Sequence, residues 1–229
     1  MKISKKNYLK IASLIKKYNF SNLDLVTNYG LFSGNTNLFK TLKIYELLIE
    51  VKDIEGDVIE LGIHKGNSSL LIKKILDIFN IKKKLFLLDH FKGLIHYSKK
   101  DTKASRKFRN QYKSPKKHVE DFIKFFNFKK IKIIDKDATT LEPGFFSKKQ
   151  KFCFAYLDMD LYTPTLKALN SLDDHISKGG YMIFDEGLKK NWSEGKAIKK
   201  FYLLNKKRYK LIKIDNFYQP DILLKKICH

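Results

Sequence analysis

The chain has 229 residues, 43% hydrophobic and 14% aromatic; it suits one sizeable core, is too short for two full domains and is too apolar for a disordered chain. Its formal net charge of +23 is nearly all lysine, the arginines being Arg106, Arg109 and Arg208, and the lysines run from end to end beside abundant Ile, Asn and Phe. Such a field attracts nucleic acid or anionic membrane whatever the sequence, but a dedicated nucleic-acid surface favours arginine. The excess therefore reads as codon bias, and no nucleic-acid partner is expected. No apolar run nears the roughly 18 residues of a membrane span. Cys153 and Cys228 fit neither a disulfide framework nor a zinc spacing, so a cytoplasmic setting is expected.

The opening stretch, MKISKKNYLKIASLIKKY, is lysine-punctuated at helical spacing and reads as an amphipathic helix. It begins a helical extension over residues 1–56, a candidate lid, ahead of a main domain at 57–229. Apolar runs of strand character then fall at 57–61, 85–88, 131–134, 152–157, 181–184, 209–214 and 222–227. Helical periodicity fills 68–79, 118–126, 163–176 and 196–204. This alternation predicts an α/β fold with right-handed βαβ units, a mostly parallel seven-stranded sheet and helices on both faces. The last two strands are separated by too few residues for a crossover helix, which predicts an antiparallel C-terminal hairpin at one edge. Residues 99–117 read as a polar, basic, mobile insertion.

Ligands of open parallel sheets bind beyond the carboxyl ends of the strands. The first strand runs into "ELGIHKGNSS", where Gly62 and Gly66 let the backbone turn tightly and Ser68 or Ser69 caps the next helix. The spacing is neither that of a dinucleotide fingerprint nor that of a P-loop. The second strand ends in Asp89, placed to accept from both ribose hydroxyls, and the third in Asp135-Lys136-Asp137-Ala138-Thr139, where a polar group could meet an adenine edge. Together these ends describe a nucleoside cradle.

"GDVIELGIHKGNSS", "LLDHFKGL", "LDMDLYTPTLKAL", "SKGGYMIFDEG" and "WSEGKAIKKF" follow in order. As a set they resemble the class I S-adenosylmethionine-dependent O-methyltransferases of the macrocin O-methyltransferase (TylF-like) group. That resemblance implies a Rossmann-like fold and methylation of a hydroxyl, typically on a sugar of a natural product, with a divalent metal, usually magnesium. It implies that Glu60, Gly62 and Gly66, with Ser68 and Ser69, surround the methionine part of the cofactor. Asp89 would take the ribose, Phe91 would lie beside the adenine, and Asp137 and Ala138 would meet its edge. It further implies Asp158, Asp185 and Glu186 as metal ligands, Asp158 also bordering the cofactor, although relatives usually carry two adjacent aspartates where this chain has Asp185-Glu186. By analogy a homodimer is expected.

The carboxylates also make physical sense on their own. Asp158 ends the fourth strand and Asp185-Glu186 the fifth, and neighbouring strands lie about 4.8 Å apart. Three acids so close repel unless a cation neutralises them, and oxygen donors suit Mg²⁺. Asp160 fits two roles, a general base taking the acceptor's proton or a cap for the helix near Thr163-Pro164; His118 and His90 are weaker candidates for the base. Trp192 and Phe91 fit an acceptor pocket or the core, and Cys153 fits the core. The lysines Lys113, Lys116 and Lys117 would suit a phosphorylated or carboxylated acceptor. An RNA-directed methyltransferase and a non-catalytic binding module on the same fold are the competing functions.

Overall fold

The computed structural model describes residues 5–28, 35–188, 192–214 and 219–228. The chain divides into two compact units, Met1–Ile44 and Tyr45–His229. The first holds α1 (Lys5–Lys17), α2 (Asn22–Thr27) and most of α3 (Asn35–Glu50). Ser21 starts α2 through a reciprocal capping box with Asp24.

The second unit is built on seven strands: β1 (Asp57–Leu61), β2 (Leu85–Asp89), β3 (Ile131–Asp135), β4 (Phe152–Leu157), β5 (Ile176–Phe184), β6 (Tyr209–Lys213) and β7 (Ile222–Lys226). Their order is β3-β2-β1-β4-β5-β7-β6. The strands from β3 to β5 pair in parallel, and β7 runs antiparallel between β5 and β6. All six residues of β4 are buried, as a central strand covered on both faces requires, whereas edge strand β3 is only half covered. The core joins Ile59, Leu88, Leu157 and Phe184 of the sheet to Leu169 and Ile198 of the flanking helices. Those helices are α4 (Asn67–Ile78), α6 (Lys116–Phe125), α7 (Tyr162–Leu172) and α8 (Ser193–Leu204), with a short α5 (Lys103–Arg106) before α6. This is the Rossmann-like architecture expected from the sequence. No described helix is long and apolar enough to cross a membrane.

Three details differ from the sequence expectation. β5 begins at Ile176 rather than 181, because Gly179 (φ +85°) and Gly180 let the strand bulge against Cys153, where a Cβ on Gly180 would lie 2.8 Å from the Cys153 carbonyl oxygen. The helix predicted over 163–176 therefore ends at Leu172, with a single 3₁₀ turn at Asp173–His175. Segment 99–117, read as a mobile insertion, buries Asp101, Thr102, Ser105 and Ser114. Cys153 is fully buried in the core, as expected.

The C-terminal hairpin is tied down by Asp173, which receives Arg208, the Tyr209 hydroxyl at 2.9 Å and the Lys226 ammonium at 3.1 Å. The Lys226 side chain is only 2% exposed, so its charge depends on that partner. Asp173→Ala is expected to cost about 3 kcal/mol of unfolding free energy, because it strands a buried ammonium. Urea denaturation checks this, and a loss within the scatter of surface substitutions would contradict it.

Candidate active site

The carboxyl ends of β1, β2, β4 and β5 are level, with Leu61 paired to Leu88 and Leu157, and Leu157 to Phe184. The strand order reverses between β1 and β4, which in open α/β sheets is where ligands bind. A cavity of about 370 Å³ opens there.

The first wall is the turn after β1. Gly62 has φ +85°, and a Cβ on it would lie 1.9 Å from the Asp158 carbonyl oxygen, so glycine is demanded by the end of β4. Gly66 (φ +83°) is the N-cap of α4 and makes no side-chain cap bond. The serines do not cap the helix as expected: Ser68 donates its hydroxyl to Glu60 Oε1, and Ser69 is fully buried within α4. Gly62 lines the cavity; Glu60, Gly66, Ser68 and Ser69 do not.

Asp89 knots this turn to β2. Its Oδ2 accepts the Ile63 and His64 N–H groups, both at 2.9 Å, and its Oδ1 accepts that of Phe91 at 2.7 Å. The carboxylate also borders the cavity. Phe91 does not: its backbone is left-handed (φ 59°) and its ring is buried, so Gly93, Leu94, Ile95 and His96 supply the lining instead. From β3, Asp137, Ala138 and Thr139 face the same space. Asp137 accepts the Thr139 N–H and hydroxyl at 2.8 Å each and meets His96 Nε2 at 2.6 Å. Burial pushes its carboxyl up, but the Thr139 hydrogen bonds and the imidazoles of His96 and His90 outweigh that and hold it below the usual range.

The opposite wall is acidic: Asp158, Asp160, Asp185 and Glu186 all line the cavity. Behind them lies Glu194, fully buried, whose Oε1 accepts the Met159 N–H at 3.3 Å and whose Oε2 accepts the Glu186 N–H at 3.0 Å. Burial, then the charges of Asp158, Asp160, Glu186 and Asp185, push its carboxyl well above the usual range. Asp185 Oδ1 accepts the Tyr156 hydroxyl at 2.6 Å, and the Gln219 amide donates to Asp185 Oδ2 at 3.3 Å and to Glu186 Oε1 at 2.6 Å. Among the described residues no three His, Cys, Asp or Glu side chains are arranged to hold a metal ion. Asp158, Asp185 and Glu186 share this one cavity, and hydrogen bonds from Tyr156 and Gln219 orient the last two.

Asp160 is not the helix cap. The N-cap of α7 is Leu161, without a side-chain bond, and the Tyr162 N–H donates to Asp101 Oδ1 at 2.8 Å. His118 is exposed on α6 and lies outside the cavity lining, while His90 lines the cavity and accepts the Lys92 N–H at Nδ1. Lys116 pairs with Glu120 and Asp135, Lys117 pairs with Asp121, and neither they nor Lys113 face the cavity.

Tyr112 is what the basic segment contributes instead. Its ring meets His64 edge-on at 5.5 Å and stacks on Phe108 at 5.9 Å, and Phe108 in turn contacts Trp192 at 5.7 Å. Burial, then the charges of Asp160, Asp158, Glu186 and Asp185, push its hydroxyl up to about 12. Tyr112 therefore stays a proton-bearing donor at any physiological pH. Its raised value means that the phenolate is the disfavoured form, so in a titration followed at 295 nm the transition missing from Tyr112→Phe should lie above the ordinary tyrosine range; one near 10 would contradict the assignment. Gly62→Ala is expected to cost about 3 kcal/mol or more in stability, from the left-handed φ and the backbone clash together. Denaturant unfolding and calorimetry with S-adenosylhomocysteine measure the loss of fold and of binding separately.

Residues 34–219 match the family model described as macrocin-O-methyltransferase (TylF). The chain is 24% identical over 141 residues to a demethyldecarbamoylnovobiocin O-methyltransferase of Streptomyces niveus, covering 58% of this chain and 53% of that relative. It is 25% identical over 140 residues to a tetracenomycin rhamnosyl 4'-O-methyltransferase of Streptomyces olivaceus, again covering 53% of the relative. The chain thus spans about half the length of the curated relatives it matches. Among solved structures, the calicheamicin methyltransferase CalS11 superposes with a TM-score of 0.76 at 18% identity, over 99% of this chain and 94% of that one. An rRNA methylase from Streptococcus thermophilus gives 0.52 at 13%, over 85% and 98%. These structures share the class I methyltransferase fold, and by the match over most of its length the chain belongs to the macrocin O-methyltransferase family.

Proposed function

We propose that the protein is an S-adenosylmethionine-dependent O-methyltransferase acting on a hydroxyl of a sugar or similar small polyhydroxylated acceptor. The observation that carries this reading is the joining, in one cavity, of a side lined by Asp89 and Asp137–Thr139 with an acidic side lined by Asp158, Asp160, Asp185 and Glu186. The family match, the rhamnosyl 4'-O-methyltransferase relative and the description of CalS11, in its apo structure, as a TDP-rhamnose 3'-O-methyltransferase support the same acceptor class.

S-adenosylmethionine supplies an electrophilic methyl group on a sulfonium centre. The chain's own residues bind, orient and deprotonate. Asp89, already fixed by three backbone N–H groups, holds the ribose hydroxyls. Asp137 and the backbone at Ala138 meet the base edge. Across the cavity, the acceptor hydroxyl lies against Asp158 and Asp160. These two residues would orient the acceptor oxygen toward the methyl group the cofactor offers when bound, and Asp160 would take the hydroxyl proton. Tyr112, which lines the cavity and is backed by Phe108 and Trp192, offers aromatic surface suited to the C–H face of a sugar.

Magnesium belongs to this proposal on donor chemistry alone. Asp158, Asp185 and Glu186 offer the hard oxygen atoms it prefers, and its charge would offset their repulsion; no step is assigned to it.

S-adenosylhomocysteine should bind at micromolar levels by calorimetry, and Asp89→Asn should weaken that by about tenfold. Asp158→Asn should abolish methyl transfer from tritiated S-adenosylmethionine to a panel of glycosides that includes TDP-rhamnose, with cofactor binding largely intact. Absence of cofactor binding to the folded protein would leave only a binding module. Transfer to RNA, with steep salt dependence, would replace the sugar reading. Full activity in excess EDTA, with no Mn²⁺ bound by electron paramagnetic resonance, would remove the metal.

A further inference from the structure

Asp160 sits in the least ordinary backbone conformation of the cavity wall. Its φ of 57° is left-handed for a residue with a Cβ, and the Leu161 N–H reaches the Met159 carbonyl at 2.5 Å, closing a three-residue γ-turn around it. Turns of this hand are rare and strained, and they persist only where neighbours fix them.

Those neighbours come from residues 98–105, between β2 and α6. Ser105, fully buried, donates its hydroxyl to the Asp160 carbonyl at 3.2 Å and accepts the Ser193 N–H at 3.1 Å. A hydroxyl has one proton to give, and here it goes to the strained turn. Two residues beyond Asp160, the Tyr162 N–H is taken by Asp101 Oδ1 at 2.8 Å. Asp101 is itself held, its Oδ2 accepting the Ser98 N–H at 2.6 Å and hydroxyl at 3.0 Å. The Thr102 N–H adds a bond to Ser193 Oγ at 2.9 Å, and the next residue, Glu194, is the one that bonds the Met159 and Glu186 N–H groups. One buried polar strip thus grips the turn from both sides and continues into the rest of the acidic wall.

We infer that Ser105 and Asp101 are positioning residues for Asp160, fixing through the backbone the turn that presents its carboxylate to the cavity. The role rests on the reading of Asp160 as the proton acceptor in methyl transfer. It assigns to the basic segment a task in its serine and aspartate side chains, with its lysines turned elsewhere.

Amide hydrogen exchange on Ser105→Ala, Asp101→Ala and Asp101→Asn tests the grip without any acceptor. The Leu161 and Tyr162 N–H groups should exchange about tenfold faster in the alanine variants, with β1 and α4 unchanged. Asp101→Asn keeps an oxygen for the Tyr162 N–H and should restore protection; if Ser105→Ala does not fold, the Asp101 pair carries the same comparison. With TDP-rhamnose as the acceptor probe, the alanine variants should lose about tenfold in kcat, with its KM and the Kd of S-adenosylhomocysteine within about twofold of the parent. In an Asp160→Asn background neither should lower the residual rate further, since the group they position is gone. Unchanged exchange at Leu161 and Tyr162 overturns the inference whatever the rates. Full kcat in the alanine variants beside an inactive Asp160→Asn overturns the positioning role and leaves the catalytic reading standing. An Asp160→Asn enzyme of full activity overturns that reading, and the inference with it.

Discussion

The backbone ladder that runs one residue past the ends of β1, β4 and β5 is the constraint from which the site follows. The Gly62 N–H bonds the Leu88 carbonyl, the Asp158 N–H that of Leu61, and the Asp185 N–H that of Leu157, all at 2.9 Å. Parallel pairing thus continues into the first loop residues and fixes where two of the acids leave the sheet. It also brings the Asp158 carbonyl so close to residue 62 that only glycine fits. The same approach that shapes the cofactor turn therefore sets its distance from the carboxylates opposite.

A second theme is the contrast between a lysine-rich exterior and an acidic interior. In a chain with a formal charge of +23, six carboxylates line one cavity with Glu194 behind them, and burial with electrostatic repulsion shifts Glu194 and the tyrosines Tyr112 and Tyr156 upward. A cavity of that sign favours a cationic group such as a sulfonium. Lysines near it in sequence do not reverse this, because they pair along α6.

The fold was legible because its signals are local and repeated. Apolar runs at strand length alternate with helical periodicity, and the fully buried β4 reads as a central strand from FCFAYL alone. The acids at the strand ends were equally plain, since Asp89, Asp137, Asp158, Asp160, Asp185 and Glu186 all reach the cavity. What the sequence hid were choices between partners distant along the chain. Asp160 precedes a helix and looks like its cap, yet the helix takes Asp101 from 61 residues away. Ser68 stands where a cap belongs but bonds Glu60 instead. Glu194 lay inside a quoted motif, but an acid in the first turn of a helix is ordinary, so nothing local marked it as the buried acceptor of two backbone N–H groups. Tyr112 carried no mark either, its place being set by the path of the loop.

The position of β7 has its own bearing on how the molecule is completed. The last of the seven strands in chain order is an interior one, paired with β5 on one side and β6 on the other. Until it docks, β5 offers a bare edge at Tyr181–Ile183, an open template for another chain. The same closing segment delivers Gln219 to Asp185 and Glu186, and Asp221 to the Leu188 N–H. Docking of β7 thus covers the edge of β5 and completes the acidic wall together, so the sheet's exposure to association ends with the step that finishes the cavity.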